Sequence, residues 1–226
     1  MSPTTSLLLG SAIGFVGSII GAILVSLWVE WCRSPRLKLA IPIETKEWQF
    51  AHSQDATPLP ARTLQLLVRN APSATWITRA AAQRCRATVT FHCGDGSDLF
   101  QRPMQGRWAN SPQPTEVFQF VTPDGQRAFS VDTTSYIDIY PGENELLDVV
   151  IRYGEETECY VWNNETYAYP DRRTQHWKII KGEYLMKVTI TCSGGSQNGS
   201  FRLMNDGTRL QFHLLHADAK RRPKLT

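Results

Sequence analysis

The sequence predicts an all-β, antiparallel sandwich preceded by one transmembrane helix. Three observations carry that reading. Residues 7–29, LLLGSAIGFVGSIIGAILVSLWV, hold no charged side chain. Behind them, short apolar stretches alternate with polar positions at period two. Turn residues stand between those stretches, and no long stretch carries the apolar period of a helix.

The apolar stretch comes first in the chain. At ~1.5 Å rise per residue it covers ~34 Å as a helix, enough to cross a ~30 Å hydrocarbon core. The span is assigned to residues 7–31, after a short flank at residues 1–6. That flank contains no Lys or Arg, and no small-x-small site precedes Arg33. The segment therefore reads as a retained anchor, not a cleaved signal peptide. Arg33, Arg36, Lys38 and Lys46 follow the span. The positive-inside rule then places the C-terminal domain in the cytoplasm and the N-terminus outside. Trp28 and Trp31 stand where an interfacial aromatic belt would, and with Arg33, Arg36 and Lys38 they form the expected membrane-interface set.

Gly10, Gly14, Gly17 and Gly21 recur at helical spacing. At ~100° per residue they fall within an arc of about 60°, while Phe15, Ile19 and Ile23 lie opposite. Small residues on one face let two helices approach closely in lipid. This predicts self-association or docking on another membrane protein.

A single β domain is expected over residues 36–218, with a basic tail at 219–226. Residues 36–43 alternate Leu37, Leu39, Ile41 and Ile43, and Pro42 marks an edge strand or one that ends early. Residues 44–62 read as a polar loop anchored by Trp48 and Phe50. Strands are expected at 63–70 and 84–92. In the second, Cys85, Ala87, Val89 and Phe91 point to one side. Residues 94–98 form a turn, and 98–108 are irregular. Residues 116–120 and 127–131 flank Thr122, Pro123, Asp124 and Gly125, a hairpin signal. Further strands fall at 136–140, 146–153 and 158–162. A polar, tyrosine-rich loop fills 163–175. Residues 177–180, 184–192, 201–204 and 209–215 complete the set, with Tyr184, Met186, Val188, Ile190 and Cys192 inward. That makes roughly nine to eleven short strands, a sandwich count.

Two segments carry a resemblance. Gly182, Glu183 and Tyr184 before an alternating strand, and the Pro141–Gly142 turn before residues 146–151, resemble the corresponding parts of immunoglobulin-like and fibronectin-III-like sandwiches. The resemblance covers roughly residues 130–205 and implies a fold, with a tyrosine-corner hydrogen bond expected from Tyr184. It implies no function.

Chemistry is sparse. The net charge of +3 is too small to imply nucleic-acid binding. No GxSxG, HExxH or phosphate-binding glycine loop occurs, so the reading is a non-enzyme without cofactor. His92, Cys93, Asp95 and Asp98 cluster at one turn, but strand parity sends His92 and Cys93 to opposite faces, which favours a plain turn over a metal site. His213 and His216 likewise fall on opposite faces of a strand. Cys32, Cys85, Cys93, Cys159 and Cys192 contain no CxxC and read as free thiols in a cytoplasmic domain; in an exported one, Cys85 or Cys93 could pair with Cys192. Asn164 and Asn198 begin glycosylation sequons that matter only for an exported eukaryotic chain. Residues 162–177 are rich in Trp, Tyr and Arg, the types enriched at binding hot spots. Tyr167, Tyr169, Arg172 and Arg173 are the candidate recognition residues; the same aromatics would equally suit packing over a sheet edge. The expectation is a single-pass, membrane-anchored binding, sensor or accessory module with a protein partner. An exported, membrane-anchored adhesion or envelope scaffold is the first alternative, and a membrane-tethered enzyme built on the sandwich is the lesser one.

Overall fold

The computed structural model describes residues 3–43, 46–50, 59–72, 78–111, 117–121, 127–131, 136–169, 172–208 and 211–218. The turn expected at 122–125, the basic tail at 219–226, and the side chains of Trp48 and Phe50 lie outside what is described.

Helix α1 (Pro3–Arg33) is followed by strands β1 (Leu37–Ala40), β2 (Lys46–Phe50), β3 (Leu59–Asn70), β4 (Ala82–His92), β5 (Met104–Gln105), β6 (Arg107–Trp108), β7 (Val117–Val121) and β8 (Arg127–Val131). Then come β9 (Ile137–Ile139), β10 (Asn144–Tyr153), β11 (Cys159–Val161), a short helix α2 (Asn164–Ala168), β12 (Lys178–Ile179), β13 (Gly182–Cys192), β14 (Gly195–Asn205) and β15 (Phe212–His216). The chain is all-β behind one apolar N-terminal helix.

Two antiparallel sheets form the domain. The first has the order β1-β3-β10-β11-β12, with β2 also on β3 and β6 on β10. The second has the order β15-β14-β13-β4-β5, with β9 also on β4. Strands β7 and β8 pair with each other as a separate two-stranded antiparallel sheet. The core lies between the sheets. Leu64, Leu66, Val68, Leu147 and Val150 from the first sheet join Val89, Phe91, Met186, Val188, Ile190 and Phe201 from the second. The inward parity expected for 85–91 and 184–190 is observed, with all eight of those positions buried.

The segment expected to be irregular, 98–108, closes a corner of the sandwich. Strand β5 pairs with β4 in one sheet and β6 pairs with β10 in the other. Gly106 stands at the crossing. A Cβ there would lie 2.7 Å from Ala87 Cβ and 2.7 Å from Leu147 Cδ1. Only glycine lets the chain pass between the sheets at that separation.

The loop expected at 44–62 is part strand: β2 and the start of β3 occupy it and pair with each other. Tyr140 to Glu143 make the expected turn. Gly142 has φ +88, and the Glu143 amide donates to the Tyr140 carbonyl at 3.0 Å, the geometry that Pro and Gly favour at the turn's centre. The Tyr184 hydroxyl donates to the Ile180 carbonyl at 3.2 Å, tying the start of β13 back onto the chain before it.

Candidate functional site

The outer face of the first sheet carries most of the polar organisation. Strand β10 has a register shift between Asp148 and Val150. This bulge reverses the strand's parity. Val150 stays in the main core, while Ile151 and Tyr153 turn outward and join Ala61, Tyr160 and Trp162 in a second apolar cluster. Residues after Trp162 cover that cluster, with Tyr167 packed against it and Arg173 over the Tyr153 ring, which keeps its aromatic surface from water.

The cover begins at Asn163, whose Oδ1 accepts the Thr166 amide at 2.8 Å and so caps α2. On α2, Tyr167 packs edge-on to Trp162 with ring centroids 5.6 Å apart. Two guanidinium groups approach its ring, Arg107 at 4.1 Å and Arg172 at 4.8 Å. Arg107 is buried; its Nη1 donates to Asn164 Oδ1 at 2.8 Å, and its Nε lies 3.9 Å from Asp148 Oδ2. Gln65 Nε2 donates to Asp148 Oδ1 at 2.7 Å. Burial pulls the Arg107 pKa down, and Asp148 works against that pull.

The four expected recognition residues therefore divide. Tyr167 is half-buried between guanidinium groups. Arg173 lies over the Tyr153 ring at 4.3 Å and its Nε and Nη2 reach Glu156 Oε1 at 2.9 and 2.8 Å. Burial disfavours the Arg173 charge, but Glu156 outweighs it and holds the pKa above its usual value. Arg172 stacks on Tyr167 from a left-handed backbone, φ +55. Tyr169 is exposed at the edge of the cover, 47% accessible.

Beside α2 lies a polar pocket of about 210 Å³, lined by Arg102, Gln105, Asn163, Asn164, Glu165 and Trp177 among others. Glu165 Oε2 accepts from Arg102 Nη2 and from Trp177 Nε1, each at 2.7 Å. Arg102 also lies over the Trp177 ring at 5.1 Å. Amides and a guanidinium on an indole floor suit recognition of a polar, hydrogen-bonding partner surface. Sequence reading missed Arg102, Arg107, Asp148 and Glu165, since each has a partner far away in the chain: Glu165 for Arg102, Asn164 for Arg107 and Gln65 for Asp148, at separations of 63, 57 and 83 residues.

The residues expected at the membrane interface lie around the junction of α1 and β1. The Ala80 amide donates to the Arg33 carbonyl at 2.7 Å, and Ser34 Oγ donates to the Trp31 carbonyl at 2.7 Å, both satisfying the end of α1. Arg36 lies over the Trp31 ring at 5.2 Å. Buried Asn70, also missed, holds this junction. Its Oδ1 accepts the Arg36 amide at 3.2 Å, and its Nδ2 donates to the Ala80 and Ile139 carbonyls at 3.1 and 3.0 Å. Lys38 is exposed on β1, and Trp28 and Trp31 are exposed on α1. Around Gly14, Gly17 and Gly21 there is open space. Gly10 lies in the same helix.

The remaining candidates come together only in pairs. His92 Nδ1 lies 2.7 Å from Asp98 Oδ1, while Asp95 accepts from the Ser97 hydroxyl and amide at 2.6 and 2.9 Å, which lowers its pKa. Burial lowers the His213 pKa, and His216 packs on Phe201. Among the described residues, no three metal-ligating side chains converge. All five cysteines are free thiols. Of the two pairings open to Cys192, the structure favours Cys85: the last β4–β13 pair is Thr191 with Arg86, which sets Cys192 and Cys85 next to each other just past the ladder's end, while the Cys85 thiol itself lies 3.1 Å from the Ala82 carbonyl. Burial first, and Cys192 second, push the Cys85 thiol up to about 12. Sequon residue Asn164 is buried, whereas Asn198 is exposed. Comparison with protein-family profiles, with curated proteins and with solved structures found no match.

Proposed function

We propose that this chain is a single-pass membrane protein whose sandwich serves as a binding, sensor or accessory module held at the membrane surface. The observation that carries the reading is α1. It contains a 20-residue apolar window, Gly14–Arg33, of which no part is buried by the rest of the chain. Such a surface needs a cover, and a bilayer is the cover that its length fits. The sandwich adopts an immunoglobulin-like arrangement, a reading supported by the Tyr184 corner bond and the Pro141–Gly142 turn. Its recognition surface is the edge of the cover: Tyr169, Arg172 and the polar pocket at Arg102 and Glu165. Its partner is a protein.

The domain faces the cytoplasm, as the basic residues after α1 direct. The glycine face of α1 packs on a second copy or on another membrane protein, and open space at Gly14, Gly17 and Gly21 supports that role. A second reading, an exported scaffold domain, is favoured by one feature: the neighbouring thiols of Cys85 and Cys192 suit an oxidising compartment. Fusions at the C-terminus separate the two. The proposal expects activity from a cytoplasmic reporter, such as a fluorescent protein that folds only there. Activity solely from an export-dependent phosphatase reverses the topology and selects the scaffold.

A further inference from the structure

At the membrane-proximal end of the sandwich, edge strand β1 and the β13–β14 hairpin leave a cleft of about 540 Å³. This is the size range of small-ligand sites. Arg36 and Lys38 line one side, and Ser196, Gln197 and the Gly194–Gly195 turn line the other. Leu37 and Leu39 supply apolar wall. The hairpin rests on the chain leaving the helix, because a Cβ at Gly194, φ +107, would meet Pro35 Cδ at 3.0 Å. The lining holds two cations and no carboxylate. Among the described residues, no carboxylate lies in ion-pair contact with Arg36 or Lys38.

Position decides which anion fits. Arg36 follows the last helical residue, Arg33, by three positions. At ~3.4 Å per residue it lies within ~10 Å of the helix end, and the headgroup layer is ~5–8 Å thick on each side of the hydrocarbon. Trp31, over which Arg36 stacks, is an interfacial residue by type. A cationic, hydrogen-bonding cleft with an apolar wall, set at headgroup depth, matches a phosphodiester joined to a glycerol backbone.

We propose that this cleft binds the phosphate-bearing headgroup of an anionic phospholipid. The inference rests on the membrane-anchored reading of α1. It gives the sandwich a fixed seat on the bilayer, since the lipid would bridge β1 of one sheet and β14 of the other.

The test uses the full chain in nanodiscs of phosphatidylcholine with phosphatidylglycerol, followed by release into neutral detergent and native mass spectrometry of retained lipid. Wild type is expected to retain phosphatidylglycerol selectively. Arg36→Gln with Lys38→Gln is expected to cut that selectivity roughly 30-fold, since each near-surface charge contributes ~1 kcal/mol. Ser196→Trp, or Gln197→Trp if the first variant melts early, fills the cleft with both charges intact and is expected to abolish selectivity. Wild-type selectivity in a folded cleft-filling variant overturns the proposal, because a plain cationic surface would give that result. So does binding of inorganic phosphate to the protein in phosphatidylcholine alone without retention of phosphatidylglycerol, which assigns the site to a soluble phosphate. Release of the chain from alkali-washed membranes instead removes the anchor reading itself. Retention in those membranes without lipid selectivity removes only the cleft.

Discussion

The two sheets of this sandwich solve the same burial problem in different ways. In the second sheet, β4 and β13 alternate cleanly: Cys85, Ala87, Val89 and Phe91 are inside, and Met186, Val188 and Ile190 face them. Their other side is the exposed or half-exposed row Arg86, Thr88, Thr90, Leu185, Lys187 and Thr189. In the first sheet, β10 is buried at every position from Leu147 to Tyr153. Its outer side carries a second apolar cluster, a buried Arg107–Asp148 pair and a covering segment. One sheet ends in solvent; the other is the floor of a polar, aromatic layer. The layer covers the outer apolar cluster, and the candidate recognition surface is its rim.

That contrast can be broken from the outer side first. Asp148→Ala leaves Arg107 buried without its carboxylate and Gln65 without its acceptor. A loss of about 3–5 kcal/mol is expected from urea unfolding. A loss under ~1 kcal/mol would make the outer layer decoration instead of structure. The corner between the sheets is next. Gly106→Ala forces a Cβ to 2.7 Å from both Ala87 and Leu147, and about 1–3 kcal/mol is expected to be lost by the same measurement. An unchanged midpoint would show that the sheets separate easily.

The inner side is sharpened by pH. Cys85 has its thiol pKa raised from 9.0 to about 12, chiefly by burial, and buried Cys159 is raised as well. A raised folded pKa keeps the proton bound in the folded state after the unfolded chain has lost it. The thiols then contribute nothing below pH 9, and stability falls as pH rises from 9 toward 12, with a slope of ~1.4 kcal/mol per pH unit for one thiol. Unfolding midpoints at pH 8 and pH 10.5 check this: the drop is expected to shrink in Cys85→Ala relative to wild type. The smallest effect belongs to the rim. Arg102→Gln removes an exposed ion pair with Glu165 and is expected to cost under ~1 kcal/mol. It would alter the polar pocket while leaving the fold intact, so it is the variant to carry into partner-binding experiments.

The same contrast separates what the chain reveals in one dimension from what it conceals. Period-two alternation identified β4 and β13, because one wet face leaves polar residues at every second position. The Pro141–Gly142 turn and the Tyr184 corner were legible, since each is built from neighbours in sequence. Strand β10 was found, but its outward residues were not, because the bulge after Asp148 reverses parity without any marker in LLDVVIRY. Residues 98–108 read as irregular although Gly106 marks a crossing between sheets, since the close approach of Ala87 and Leu147 is made only in three dimensions. The stretch 163–175 read as a loop; Asn163 folds part of it into α2. Tyr167 was visible as a candidate, whereas Arg107, Arg102 and Asn70 were ordinary polar residues until distant strands surrounded them.

Helix α1 is apolar and left uncovered by the sandwich, and the proposed cover is a bilayer. Washing membranes that contain the full-length chain with alkaline carbonate tests this most directly. The chain is expected to stay in the membrane pellet, and a chain lacking Pro3–Arg33 to appear in the supernatant. Release of the full-length chain would contradict the bilayer cover.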